Sequence, residues 1–540
     1  MPDIELARVT ISEKIRRGSF PLMPRNAAIA LGLFLCALVP LFWRIGAKPL
    51  WLDEVLTLNR ASLPFPRLVH NSFVNHHMPS YFLLIKGVLH FGHSPALLRA
   101  PSALFGAATV AMTFLAAARL AGRRAGIATA ALLLLSPAFV AYSQEARSYT
   151  LIMALIVIAL YGLIGIAMAA GVGMKAQRRD WVLYVMGTAG GLIVLGDAAL
   201  WWLVSAIAMI PIIAASPGER RALAMRWTVA CLLIAAIAAP FYLVMDRTVH
   251  GNFTHGFVWI PALDLQRVWA VLASVYFERI GDMVSFHLMQ TGLPMAVYGL
   301  AGAGMAGLAL FGIWRLRRQR GVQILLSLGV FLVPVLLILI SLHRPVLLGR
   351  YMLWTLIPFA MLGGVGMVGL WERWRMPLSA AFAALLAVNL APYYSSHTKP
   401  RWDVAAKILA SDMRPGDRLL FSDGSATIVM RASLPAAEAD RMFSHATWKV
   451  SAAEAAKAAG HRVWVIYGRA GQGLEASWPQ FVTKTAGLGD PTMFDTAGRR
   501  IRIELFDPAA EGAPVACAGP QPLAAAESAS LPQSLSKRCS

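Results

Sequence analysis

Long apolar runs, separated by short polar segments, fill the chain between Arg25 and Tyr394. A run of about 20 apolar residues is long enough to cross a bilayer as an α-helix. Runs of this kind recur along the whole of this part, beginning at residues 26–45. The pattern therefore predicts a polytopic α-helical membrane protein with about 11 transmembrane helices.

The pattern changes near residue 396 to the alternation of helical and strand signals that is typical of a soluble domain. The predicted elements are helices at 402–413 and 452–459 and strands at 418–421, 462–467 and 500–506. Together they predict a small C-terminal α/β domain over residues 396–507. The segment 508–540 is rich in Ala, Pro and Ser, and this composition predicts disorder.

Composition agrees with a membrane protein. Hydrophobic residues make up 57% of the 540 residues and charged residues only 14%, which excludes a single water-soluble globule. The net charge of +21 would suit nucleic acid, but many of the basic residues lie in short clusters between apolar runs. Because a nucleic-acid footprint needs one continuous basic face, we expect no nucleic-acid partner.

The short basic clusters also indicate the orientation in the membrane. Cytoplasmic loops carry an excess of Lys and Arg, and with the predicted spans every Arg-rich turn falls on one side. The odd number of spans places the C-terminal domain on the other side, together with Asp53. This predicts a cytoplasmic N-terminus over residues 1–25, a membrane domain over 26–395 and a periplasmic C-terminal domain. On the periplasmic side Cys517 and Cys539 could form a disulfide, although the sequence does not decide whether they pair.

Two adjacent carboxylates follow directly after the first apolar run, in the motif Trp51-Leu52-Asp53-Glu54. Acidic side chains at a bilayer face are costly to keep and are more often functional than decorative. The alternative is a pair of carboxylates that is simply solvated at the level of the lipid headgroups. Other polar residues on the same side favour the functional interpretation.

These other residues lie at predicted span ends on the side of Asp53. Carboxylates there can act as a general base, and arginines can neutralise a phosphate. Each has a structural alternative, since arginines can snorkel or pair with Glu145 and histidines can be solvated in loops. The candidate catalytic residues are Asp53, Glu54 and Glu145, the candidate donor-phosphate-binding residues are Arg99, Arg147, Arg344 and Arg350, and the candidate substrate-binding residues are His76, His77, Tyr81, Tyr149 and Tyr351.

The order of the motifs resembles a known family. The motifs are Trp-x-Asp-Glu at 51–54, His77-Met78-Pro79 with Tyr81, Arg-x-Pro-Ser-x-Leu-x-Gly at 99–106, Glu-Ala-Arg-x-Tyr at 145–149 and the late Arg350-Tyr351. Over residues 25–395 the chain is similar to the GT-C fold glycosyltransferases that use polyprenyl-phosphate sugars. These enzymes include bacterial relatives of the protein O-mannosyltransferases (glycosyltransferase family 39) and the lipid A aminoarabinose transferases. Many of them have His-Pro-Pro where this chain has His77-Met78-Pro79, which leaves the role of that turn open.

The resemblance implies a sugar donor linked to a polyprenyl phosphate and used at the periplasmic face of the bacterial inner membrane. The acceptor would be a lipid, glycan or protein of the cell envelope, and membrane lipids would surround the helices. Asp53 would deprotonate an acceptor hydroxyl, with inversion at the anomeric carbon, and Arg147 and Arg350 would hold the departing phosphate. Such an anionic leaving group needs charge stabilisation more than protonation. A retaining hydrolase would instead need two carboxylates flanking the bond, which adjacent residues cannot easily provide.

Two other functions fit a polytopic protein with polar span ends. A transporter or lipid flippase is disfavoured, because the sequence has no internal repeat and no matched pair of broken helices. A non-catalytic envelope-assembly protein would use its C-terminal domain to bind a partner. The sequence identifies neither the sugar nor the acceptor nor the oligomeric state. No cofactor is certain, and a divalent metal is left open.

Overall fold

The computed structural model describes residues 24–216, 218–249, 260–282, 287–289, 291–370, 372–468, 478–497, 501–510 and 516–517. The chain divides into two compact units. The membrane unit comprises Met1–Ala47 and Thr57–Ser396, and the α/β unit comprises Lys48–Leu56 and His397–Ser540. The predicted membrane domain at 26–395 included Lys48–Leu56, so the structure assigns this short segment differently.

The membrane unit is built from α-helices. They are α1 (Pro24–Phe42), α2 (Leu52–Ser62, which begins within the α/β unit), α3 (Phe65–Val74), α4 (Ser80–Val88), α5 (Pro95–Ala121), α6 (Arg123–Leu134), α7 (Pro137–Ser143), α8 (Tyr149–Gly171), α9 (Arg178–Val194), α10 (Ala198–Ala214), α11 (Arg220–Thr248), α12 (Leu265–Tyr276), α13 (Met295–Arg315), α14 (Arg320–Ser341), α15 (Leu356–Val368) and α16 (Glu372–Leu390).

Within the described ranges, 8 helices are long and apolar enough to cross a membrane. α6 and α7 together make a ninth candidate, with a bend of 68° between them. α9 and α10 have 17 residues each and are shorter than these candidate spans, which have 18 residues or more. The prediction of a polytopic α-helical membrane protein is confirmed. The predicted count of about 11 spans is reached only if the bent pair and both short helices cross as well.

Small residues allow neighbouring helices of the membrane unit to approach closely. A Cβ atom at Gly312 on α13 would lie 2.0 Å from the carbonyl oxygen of Leu362 on α15. One at Gly366 on α15 would lie 2.0 Å from the carbonyl oxygen of Leu308. No side chain fits at such a distance, so glycine lets these two backbones touch. Membrane helices often associate in this way, since lipid leaves no hydrophobic drive between them.

The α/β unit contains a 6-stranded sheet in the order β2-β1-β3-β5-β4-β6. The strands are β1 (Arg418–Phe421), β2 (Ala446–Thr447), β3 (Val463–Tyr467), β4 (Met493–Ala497), β5 (Ile501–Phe506) and β6 (Ala516–Cys517). β1 pairs in parallel with β2 and β3, β5 pairs antiparallel with β3 and β4, and β6 pairs in parallel with β4. The helices are α17 (Trp402–Asp412), α18 (Gly424–Arg431), α19 (Ala436–Phe443), α20 (Val450–Ala458) and α21 (Trp478–Thr485).

The sequence predicted part of this unit. The predictions of α17, α20, β1, β3 and β5 are confirmed to within two residues at each end. The short helices α18, α19 and α21 and the strands β2, β4 and β6 were not predicted. β6 lies inside the segment 508–540 and pairs in parallel with β4. The disorder of this segment stays a prediction. Cys539 lies outside the described residues.

Candidate active site

The acidic motif lies at the start of α2. This helix begins at Leu52, so Asp53 and Glu54 stand in its first turn, where the helix dipole favours negative charge. The backbone N–H of Trp51 donates to Glu54 Oε2 at 3.4 Å. The carboxylate thus accepts from the residue before the helix, as the acidic residue of a capping box does. This bond explains why the helix begins directly after Trp51.

Burial distinguishes the two carboxylates of the motif. Glu54 is fully buried, and Lys399 Nζ donates to its Oε2 at 2.8 Å within the α/β unit. Asp53 is only partly buried. By burial alone, Asp53 is the more accessible carboxylate of the two. Their catalytic roles stay predictions.

In the membrane unit, a tight turn between α7 and α8 carries Glu145 and Arg147. Gln144 anchors this turn, because its Nε2 donates to the carbonyl oxygens of Leu41 at 3.1 Å and Trp43 at 2.9 Å. Glu145 is buried and Arg147 is partly buried. The bend before α7 and the amide of Gln144 therefore place an acidic and a basic side chain at the start of α8.

Arg147 and Arg350 interact electrostatically with Asp197, a residue that sequence reasoning did not select. Asp197 lies in the turn before α10, and Arg350 lies in the 3-10 helix Gly349–Thr355. Burial raises the pKa of Asp197 to about 7, against the lowering effect of Arg350 and then Arg147. The Oδ2 atom of Asp197 is buried and accepts no hydrogen bond within the part of the chain described. A signal was present, since Asp197 is an acidic residue at the end of an apolar run, as Asp53 is.

Arg60, near the end of α2, lies close to Arg147. Its guanidinium carbon is 4.5 Å from the centre of the Phe82 ring, and its Nε donates to Asn71 Oδ1 at 2.9 Å. Burial, and then the charge of Arg147, lower the pKa of Arg60 to about 10. Three arginines and one carboxylate thus influence one another in the membrane unit. We call this set the arginine cluster: Arg60, Arg147, Asp197 and Arg350.

A small cavity opens beside Arg147. The Tyr81 hydroxyl hydrogen-bonds with Ser102 Oγ at 2.7 Å, and Ser102 Oγ donates to the carbonyl oxygen of Arg147 at 2.9 Å. The structure therefore brings together three of the predicted site residues: the phosphate-binding candidate Arg147 and the substrate-binding candidates His77 and Tyr81. The cavity lining is His77, Met78, Tyr81, Phe82, Arg147, Ser148, Val194 and Leu195.

Two predicted tyrosines lie beside the arginines of the cluster. The guanidinium carbon of Arg147 is 5.8 Å from the ring centre of Tyr149, and that of Arg350 is 5.9 Å from the ring centre of Tyr351. Tyr149 is buried and Tyr351 is partly buried. Aromatic faces at this distance attract a cation and restrict its orientation. Each arginine is therefore supported by the residue one or two positions further along the chain.

The remaining predicted residues have different settings. Arg99 is buried, and its Nη1 donates to the carbonyl oxygen of Ile45 at 2.8 Å. Arg344 is exposed. His76 is partly buried and has a φ of 58°, a left-handed conformation that is uncommon outside glycine. The roles assigned to these three residues stay predictions.

The sequence leaves a divalent metal ion open. Among the residues that the structure describes, no group of three or more His, Cys, Asp or Glu side chains could hold one. Magnesium often binds through one or two carboxylates together with substrate phosphates, and such binding needs no group of this kind.

No family model matches the sequence, and no curated protein matches it. Among solved structures, the chain is similar to ArnT from Cupriavidus metallidurans in the apo state, at 15% identity and a TM-score of 0.52, over 92% of this chain and 100% of that one. The structure of ArnT from Cupriavidus metallidurans bound to undecaprenyl phosphate gives 14% identity and a TM-score of 0.51, over 91% of this chain and 99% of that one. At these identities the similarity concerns the fold alone.

Proposed function

We propose that this chain, which has the GT-C fold of the ArnT structures, is a membrane glycosyltransferase. It moves a sugar from a polyprenyl-phosphate donor to a lipid, glycan or protein acceptor of the cell envelope, with inversion. The observation that supports this most directly is the arginine cluster, in which guanidinium groups gather beside a titratable carboxylate and a cavity. The planar fork of a guanidinium matches phosphate oxygens bidentately.

In the proposed reaction, Asp53 takes the proton of an acceptor hydroxyl, whose oxygen attacks the anomeric carbon. The bond from that carbon to the phosphate oxygen breaks, and the polyprenyl phosphate leaves with the electron pair. Arg147 and Arg350 stabilise the charge on that leaving group. The binding of undecaprenyl phosphate by ArnT, a protein of the same fold, supports a lipid phosphate as the leaving group.

A deletion strain tests this function whichever envelope molecule is the acceptor. Mass spectrometry of its envelope lipids, glycans and proteins should reveal the loss of one sugar mass from one class of molecule. The wild-type gene should restore that mass, and the Asp53→Asn gene should not. An unchanged envelope, or equal restoration by both genes, would contradict the proposal.

The proposed orientation places the α/β unit and the chemistry in the periplasm. Arg-rich turns lie in the cytoplasm by the positive-inside rule, so Arg318 and Gly416 should be on opposite sides. We expect alkaline phosphatase fused after Gly416 to be active and the same enzyme fused after Arg318 to be inactive, with fluorescent-protein fusions giving the reverse pattern. Cytoplasmic reporters at both positions would refute the orientation.

Asp197 should oppose the binding of an anionic donor once it is ionised. Its pKa is about 7, so it is largely protonated at pH 6 and negatively charged at pH 8. We therefore expect Asp197→Asn to lower the donor KM by severalfold to about tenfold at pH 8 and to change it little at pH 6. The donor is a phosphodiester, which does not itself titrate in this range. If the ratio of the variant's donor KM to the wild-type donor KM were the same at pH 6 and pH 8, the charge of Asp197 would not act on the donor.

A further inference from the structure

The segment Lys48–Leu56, which carries the acidic motif, is built into the α/β unit by three kinds of contact. Lys48 Nζ donates to Thr398 Oγ1 at 3.0 Å. Lys399 Nζ lies 2.8 Å from Glu54 Oε2. The side chain of Val55 is fully buried in the same apolar core as Trp402 on α17. Hydrogen bonding, ion pairing and apolar packing thus all fix the segment within this unit.

The ion pair is the most informative of these contacts, because it is buried. The side chains of Lys399 and Glu54 are 4% and 0% exposed. Removal of one member of such a pair takes a compensating charge away from the other in a buried site, which is costly, whereas removal of both members removes both charges of the pair. Lys399 is therefore part of the support of the motif and not a surface lysine.

We propose that Lys399 is a positioning residue for Asp53, and that the α/β unit serves sugar transfer by holding the acidic motif. This inference rests on the proposed function, in which Asp53 is the base. Asp53 and Glu54 are neighbours in the first turn of α2, so a fixed Glu54 side chain also fixes the backbone from which Asp53 projects. Without Lys399, Glu54 would take up a proton or move toward water, and either change would disturb that turn.

The kinetic test compares Lys399→Met, which keeps the length of the side chain but removes its charge, with Lys399→Arg, which keeps the charge. Misplacement of a reacting group by about 1 Å can cost about 100-fold in rate. We expect Lys399→Met to lower kcat by about 10-fold to 100-fold, with a donor KM close to that of the wild type. Lys399→Arg should recover most of the loss. Lys407→Met, at an exposed position on α17, is the matched control and should behave as the wild type.

The double variant Glu54→Gln with Lys399→Met separates positioning from general damage. Because it removes both charges of the buried pair, we expect its kcat to exceed that of Lys399→Met. A wild-type kcat in Lys399→Met would overturn the proposal. So would a loss that Lys399→Arg does not recover, or one that affects the donor KM as strongly as kcat.

Hydrogen exchange of the full chain in detergent provides a readout that needs no activity. In Lys399→Met, the backbone amides of Lys48–Leu56 should exchange faster, while those of α13 and α15 should keep their wild-type rates. Unchanged exchange in Lys48–Leu56 would refute the support by Lys399 even if the enzyme lost activity. If the wild-type protein showed no transfer activity while Lys399→Met still showed the faster exchange in Lys48–Leu56, the proposed function would be wrong. The catalytic part of this inference would then be overturned as well.

Discussion

Replacement of Asp53 by asparagine is expected to lower the turnover of sugar transfer by about 10²-fold to 10⁴-fold, the usual value of general-base catalysis. Asparagine has nearly the same shape as aspartate but cannot take a proton from the acceptor hydroxyl. The fold should be little affected, because Asp53 is only partly buried. The measurement is turnover of purified, folded variants at saturating donor and acceptor.

Glu54→Gln is the informative companion to Asp53→Asn. Its effect should be milder, and it should act through stability and through the position of Asp53, since Glu54 pairs with Lys399 in a buried site. A melting temperature below that of the wild type, with a smaller loss of turnover than Asp53→Asn, would fit this role. An Asp53→Asn enzyme within a few-fold of the wild type would transfer the base role to Glu54 or Glu145, or leave the reaction without a side-chain base.

Substitution of Arg350 by lysine should raise the donor KM by about 10-fold to 100-fold, which corresponds to the loss of one charge-assisted hydrogen bond. Lysine keeps the positive charge but lacks the planar fork that matches two phosphate oxygens. Arg350 is 7% exposed, so a shorter reach cannot be corrected easily by movement of the side chain. The measurement is the donor KM of the purified variant.

Arg318→Lys is a suitable control for Arg350→Lys, because Arg318 is exposed in a basic turn after α13. It should keep the wild-type KM. If Arg350→Lys also kept it while remaining folded, the phosphate would be held elsewhere, with Arg99 and Arg344 as the next candidates. Arg147→Lys should have a smaller effect than Arg350→Lys, since we assign it the assisting role.

The helices and much of the α/β unit could be predicted from local patterns. A run of about 20 apolar residues predicts a membrane helix because this length is needed to cross the bilayer. The short apolar segment Arg418–Phe421, which follows the turn Pro415-Gly416-Asp417, predicted the observed bounds of β1. The short helices α18 and α19, of 8 residues each, carry too few turns for a clear period. Local patterns also do not include the pairing of β6 with β4, which satisfies backbone groups irrespective of side chains.

The support of the candidate site depends on contacts that no local pattern contains. Glu54 and Lys399 are separated by 345 positions along the chain, so the sequence could indicate that Glu54 is unusual but not which residue holds it. Asp197 could have been selected by the cost of an acidic residue at a span end, but its relation to Arg147 and Arg350 requires the folded chain. The order of motifs indicates candidate site residues, but it does not indicate how each is held.

The fate of the donor tests the central claim most directly. Purified protein, reconstituted with a polyprenyl-phosphate sugar labelled in the sugar and with envelope extract as acceptor, should release one polyprenyl phosphate for each labelled sugar that enters an acceptor. The Asp53→Asn protein should release almost none. Recovery of the intact labelled donor on the opposite leaflet would identify a flippase. Recovery of the intact labelled donor on its original leaflet would show that the protein transfers no sugar. Either result would contradict the account.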